Sequence, residues 1–138
     1  MYSKIGDFFK KYEKENFNDT VLPQPKQQIM TSNPNIWGPP FWFSLHISSL
    51  YYPEEASPIV KERMKNRILA IPYEIPCSLC RPHASSYIEK NRENLDQIVK
   101  GRDSLFKFYV DFHNDVNRRY GKEIWTYEKA YNYYSGKD

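Results

Sequence analysis

The chain has 138 residues, with 20 Lys and Arg against 17 Asp and Glu and a formal net charge of +3. That length holds one hydrophobic core and is short for two ordinary domains, and interspersed charges without a basic stripe do not single out nucleic acid as a partner. Two cysteines are too few for a disulfide scaffold, no apolar run approaches the ~18–20 residues of a membrane span, and Met1-Tyr2-Ser3-Lys4 leads into a charged segment without a signal-peptide core, so a soluble protein is expected.

Taken in chain order, Ile5, Phe8, Phe9 and Tyr12 recur at helical spacing among Lys and Glu, which predicts a short amphipathic helix over residues 1–17. Pro23, Pro25 and Pro34 mark residues 18–35 as a linker. Pro39 and Pro40 are expected to open a core helix that runs through Tyr52 and ends at Pro53. A second helix is expected from Pro58 to about Ala70, followed by a loop punctuated by Pro72 and Pro76, and a third from Cys77 to about Arg92. After Gly101, Leu105, Phe108, Phe112 and Val116 form one apolar face of a helix over Asp103 to Tyr120, with Gly121 as its stop. Residues 126–134 suit a short fifth helix. No strand alternation persists, so the expected fold is all-α, a four-helix bundle with a short additional C-terminal helix.

Gly6, Gly38, Gly101, Gly121 and Gly136 are scattered and make neither a dinucleotide fingerprint nor a phosphate-binding loop. Cys77 and Cys80 form a C-x-x-C pair after Pro76, at an expected helix start, where the macrodipole and unpaired N–H groups stabilise a thiolate. A thioredoxin explanation needs a βαβ pattern that this chain lacks, so a helical C-x-x-C protein needs another electron acceptor. Trp42 and His46 lie one turn apart on the first core helix, and His113 and Asn117, with Asn114 beside them, repeat that spacing on the long one. Rings from the twelve Tyr, eight Phe and three Trp suit a flat conjugated ligand, with Arg118 and Lys122 for phosphate, although an aromatic-rich core accounts for the same composition.

Three segments together resemble the Erv/ALR family of FAD-linked sulfhydryl oxidases: Gly38-Pro39-Pro40-Phe41-Trp42-Phe43-Ser44-Leu45-His46, then Pro76-Cys77-Ser78-Leu79-Cys80, then His113-Asn114-Asp115-Val116-Asn117 through Gly121-Lys122. The resemblance covers about residues 36 to 134. It implies an oxidase domain at 36–138 behind an extension at 1–35, with FAD held at one end of the bundle. It also implies a cofactor site of Gly38, Trp42, His46, His113, Asn114, Asn117, Lys122 and Tyr134, the last standing where the family commonly has Trp. Pro39 replaces a family Arg, Ile75 replaces an aromatic, and Val110 and Tyr127 occupy the positions of a second disulfide.

The same resemblance implies that Cys77 meets a substrate thiolate, that Cys80 leaves and faces FAD, and that molecular oxygen accepts the electrons to give hydrogen peroxide. The expected partners are a thiol-containing protein or a small dithiol relay protein, oxygen, and a second copy in a homodimer, with no nucleic acid, membrane or metal. With no shuttle cysteines, the chain matches the minimal form that large DNA viruses encode, which implies the host cytoplasm or the virion as its place of work. Two other readings compete: a zinc module using Cys77, Cys80, His83 and either His46 or His113, and a flavin-binding assembly protein without turnover.

Overall fold

A computed structural model describes residues 32–137; the helix expected over 1–17 and most of the expected linker lie outside the described residues. The elements are α1 (Pro34–Leu50), α2 (Pro58–Glu74), α3 (Arg81–Lys90), a 3-10 turn (Arg92–Asn94), α4 (Leu95–Ile98), α5 (Arg102–Arg119) and α6 (Tyr127–Ser135), with no strand among the described residues. The four longer helices form the expected bundle, and α6 is the additional C-terminal helix. α1 packs chiefly on α5, α2 on α3, and α6 lies against both α1 and α5.

The boundaries differ from expectation chiefly where prolines were read as opening or interrupting a helix. α1 starts at Pro34, so Pro39 and Pro40 sit inside it rather than at its start. The Asn33 side chain accepts a hydrogen bond from the Asn35 N–H at 3.0 Å, and Pro34 occupies the first turn, where a missing N–H costs nothing. The carbonyls that lose donors to Pro39 and Pro40 belong to exposed Asn35 and Ile36, where solvent is free to take the donor's place. Likewise α2 continues through a buried Pro72 to Glu74, with Ser57 as its cap. The third helix begins at Arg81, not Cys77, and ends at Lys90. α5 is within one residue of its expected bounds, and α6 within one at each end.

One continuous core joins α1, α2, α3 and α5, with Leu45, Ile68, Ile71, Ile88, Leu105 and Tyr109 buried at its centre. A smaller cluster of Phe106, Val110 and Ala130 seats α6. Beyond the C-terminal end of α1, backbone polar groups lock the loops together: the Tyr52 hydroxyl donates to the Val99 carbonyl at 2.7 Å, Ala56 N–H to the Lys100 carbonyl at 3.0 Å, and Arg102 Nε to the Tyr52 carbonyl at 2.7 Å. Gly101 belongs to this seam because a methyl group there would run into the Glu54 carbonyl. The opposite end of α1 and α5 is left open.

Candidate functional site

At that open end a cavity of about 890 Å³ is bordered by residues of α1, the Cys77–Cys80 turn, α5 and the segment leading into α6. Cys77 and Cys80 are joined as a disulfide. Cys80 borders the cavity and Cys77 does not. The turn is closed by Cys80 N–H and Arg81 N–H, both donating to the Cys77 carbonyl at 3.1 Å, while Arg81 Nε ties back to the Ile75 carbonyl at 2.7 Å. Cys80 occupies the cap position of α3, so the positive end of that helix favours negative charge on its sulfur. The sequence had placed Cys77 at the helix start; the helix instead begins after Cys80, and the dipole argument passes to that residue.

The aromatic wall is built by spacing along α1 and α5. Trp42 stacks face to face on His113, with ring centroids 4.1 Å apart and planes within 3°, and meets Phe112 edge-on at 5.1 Å. Both Trp42 and His113 border the cavity, together with Gly38, Asn117, Lys122 and Tyr134 from the sequence-derived set. His46 and Asn114 do not border it; they line a void of about 10 Å³ just behind.

These two residues hold the wall in place. His46 Nε2 and His113 Nδ1 are 3.0 Å apart, and Tyr134 stacks on the other side of His46 at 4.2 Å. Burial, and then the neighbouring His113, push the His46 pKa down to about 3; burial, and then Lys122, push that of His113 down to about 4. Both rings are therefore neutral, and one must donate to the other. His46 Nδ1 is buried without a partner, and an orphaned N–H is the rarer state. That places the His46 proton on Nε2, donating to His113, and the His113 proton on its own Nε2. Asn114 clamps the polypeptide before α6: its amide N donates to the Trp125 carbonyl at 2.8 Å and its amide O accepts from the Trp125 N–H at 3.0 Å.

The polar groups left over suit a conjugated ligand bearing phosphates. Asn117 is nearly buried, and its side chain has no hydrogen-bond partner among the described residues. Lys122 forms no ion pair among the described residues, whereas Arg119, also at the cavity edge, is held by Asp115 at 3.0 Å. Arg118 does not border the cavity. Burial, and then Tyr133, push the Tyr134 pKa up to about 12, so it stays a neutral donor. Asn33, Trp37, Arg119, Tyr120 and Trp125 also border the cavity and were not found from the sequence. Among the described residues no group of three or more His, Cys, Asp or Glu converges on a metal position, so the Cys77, Cys80 and His83 run does not assemble.

Comparison with known proteins places this arrangement among flavin-linked enzymes. The model of the Erv1 / Alr family matches residues 39–135. Protein 347L of Invertebrate iridescent virus 6, whose name carries a provisional assignment as an FAD-linked sulfhydryl oxidase, is 39% identical over 95 residues, covering 67% of this chain and 86% of that one. The FAD-linked sulfhydryl oxidase of African swine fever virus (isolate Pig/Kenya/KEN-50/1950) is 32% identical over 99 residues, covering 71% and 79%. Among solved structures, the yeast Erv1 core superposes with a TM-score of 0.66 at 21% identity, covering 83% of this chain and 96% of that one.

Proposed function

Because the chain belongs to the Erv1 / Alr family, we propose that it is an FAD-linked sulfhydryl oxidase that forms disulfides in thiol substrates through Cys77 and Cys80 and passes the electrons to molecular oxygen. One observation carries the residue roles: of the two disulfide sulfurs, only that of Cys80 belongs to a residue bordering the large aromatic cavity. A substrate thiolate attacks Cys77 Sγ, the Cys77–Cys80 bond breaks, and the electron pair leaves on Cys80 Sγ, where the α3 terminus stabilises it. A second substrate thiolate then attacks the mixed disulfide, releasing oxidised substrate and the Cys77 thiolate.

The cavity fits FAD. Its volume lies within the ~300–1,000 Å³ usual for cofactor sites, its walls are aromatic, and Asn117 and Lys122 offer polar groups the protein itself leaves unused. Trp42 and His113 would hold the ring system, with Gly38 leaving room along α1; Asn117 and the His113 Nε2–H would bond polar edges, Lys122 the phosphates, and Tyr134 the adenine. His46 fixes the orientation of His113, and Asn114 fixes Trp125. Bound there, FAD supplies the two-electron acceptor that reoxidises the dithiol and yields hydrogen peroxide from oxygen.

In this reading the oxidase domain expected at 36–138 extends back to the Asn33 cap, and residues 1–32 precede it. A small dithiol protein brings electrons in, and the enzyme is a homodimer. Exposed Ile36 and Phe43, seven residues apart on α1, supply an apolar face for that pairing. Viral relatives support work in the host cytoplasm or the virion; no helix among the described residues is long and apolar enough to cross a membrane.

Oxygen consumption and peroxide release with dithiothreitol test the activity. Cys77→Ser and Cys80→Ser should both fall to background, and only Cys77→Ser, which leaves the Cys80 thiolate beside the cofactor, should show a long-wavelength charge-transfer band. A band in Cys80→Ser alone would reverse the roles; a flavin-loaded wild type that oxidises no thiol would overturn the function.

A further inference from the structure

We propose that Tyr120 is a catalytic residue of this chain: its phenolic hydroxyl donates to the Cys80 sulfur as that sulfur becomes a thiolate. The inference rests on the oxidase reading and adds a residue to it. Tyr120 Oη lies 3.9 Å from Cys80 Sγ across the edge of the large cavity, and both residues border that cavity.

The placement is built into the end of α5. Tyr120 is the C-cap residue, and the chain turns over there: Lys122 N–H donates to the Asn117 carbonyl at 2.8 Å, Gly121 N–H donates to the Arg118 carbonyl at 3.3 Å, and Gly121 takes φ +66°. This pairing of bonds over a left-handed glycine fixes the backbone of the cap residue. From the other side, the Cys80 backbone is fixed by its N–H to the Cys77 carbonyl at 3.1 Å and by its own carbonyl, which accepts from Ala84 N–H at 3.1 Å. Two independently anchored elements thus present a hydroxyl to a sulfur.

In the disulfide that sulfur is neutral and a weak acceptor, which agrees with a contact at the long end of sulfur hydrogen bonds. When substrate thiolate attacks Cys77 Sγ, a new S–S bond forms, the Cys77–Cys80 bond breaks, and its electron pair resides on Cys80 Sγ. No proton moves; the phenol keeps its own and shares it with the new charge. A charge-assisted bond is stronger than a neutral one, so the interaction favours the leaving state over the starting one. A lower leaving-group pKa speeds thiol–disulfide exchange. The helix terminus and the hydroxyl act on the same sulfur.

The test uses the holoprotein. Cys80 is the only thiol in Cys77→Ser, because the chain has two cysteines. The pH dependence of its alkylation by iodoacetamide reads the thiolate fraction without turnover. Adding Tyr120→Phe should raise the alkylation midpoint by about half a unit to one unit. In the otherwise wild-type enzyme, Tyr120→Phe should lower kcat/KM for dithiothreitol about two- to threefold. Tyr120 is 54% exposed, so the loss of one oxygen should leave melting temperature and flavin content unchanged. Replacing Tyr120 by 3-fluorotyrosine, a more acidic phenol, should move the midpoint the other way, and it decides the matter if the Phe variant folds poorly. A midpoint unaltered by either substitution overturns the role of Tyr120 while leaving the oxidase reading intact; that reading falls only if the wild type fails to oxidise thiols.

Discussion

Acidification should loosen this protein through His46 and His113 before its carboxylates take part. Both imidazoles are held neutral in the fold, at about 3 and about 4, against an ordinary value of 6.5. The unfolded chain therefore binds protons that the folded chain refuses, and stability declines as pH falls below about 6.5, continuing until the folded rings themselves titrate. From pH 7 to pH 5 each unfolded imidazole gains about 0.7 of a proton while its folded counterpart gains almost none. Integration gives about 2 kcal/mol per ring and about 4 kcal/mol for the pair. For a chain of this size that corresponds to a melting temperature lower by roughly 14 °C. Thermal unfolding followed by circular dichroism at both pH values reads the drop. His113→Gln, which keeps a polar group of similar reach but does not titrate, should remove about half of it. A pH slope equal in His113→Gln and wild type would refute the assignment of the acid sensitivity to this pair.

Asn114→Ala deletes both bonds to Trp125 and leaves that backbone N–H and carbonyl without their partner, a cost of about 2–3 kcal/mol in urea unfolding. Flavin content per protein should fall in the same variant, because Trp125 borders the cavity; unchanged stability would show that the clamp does not hold the α5–α6 connection. Sedimentation of the wild type should give twice the 16.6 kDa chain mass, and Ile36→Glu with Phe43→Glu should give a monomer. A wild type that sediments as a monomer removes the proposed pairing.

The bundle was legible in the sequence because its helices carry their own signals: α5 combines an unbroken apolar face with a following glycine, and α6 is bracketed by Thr126 and Gly136. α1 was legible in its C-terminal half only. Pro39 and Pro40 were weighed as the opening of the helix and Pro34 as part of the linker, whereas Asn33-Pro34, a capping residue before a proline suited to the first turn, was the true start signal. That error hid Trp37, which lies one turn before Phe41 and meets it edge-on at 5.5 Å, and so belongs to the same aromatic wall. The three motifs brought out the residues that occur in patterns. Tyr120, Arg119 and Trp125 border the cavity through tertiary placement, from a helix end and a loop, and single residues in such positions have no periodicity to betray them. Asn114 and His46 stood out in sequence beside Trp42 and His113, and they border the small void behind the large cavity rather than the cavity itself, because hydrogen-bonding residues at helical spacing look alike whether they meet an open cavity or the groups behind it.

The disulfide proposed to carry the chemistry joins cysteines only three positions apart. Crosslinks constrain an unfolded chain more the longer the loop they close, growing with the logarithm of its length, and this loop is among the shortest a protein makes. Opening it therefore relinquishes little of what keeps α1 to α6 together, which resides in the buried core and in the seam around Gly101 at the far end of the bundle. Oxidised and reduced forms should differ in charge and reactivity at one corner while sharing the same scaffold. The working bond is thereby uncoupled from the architecture, and a protein can break and remake it at each turnover without passing through a weakened state.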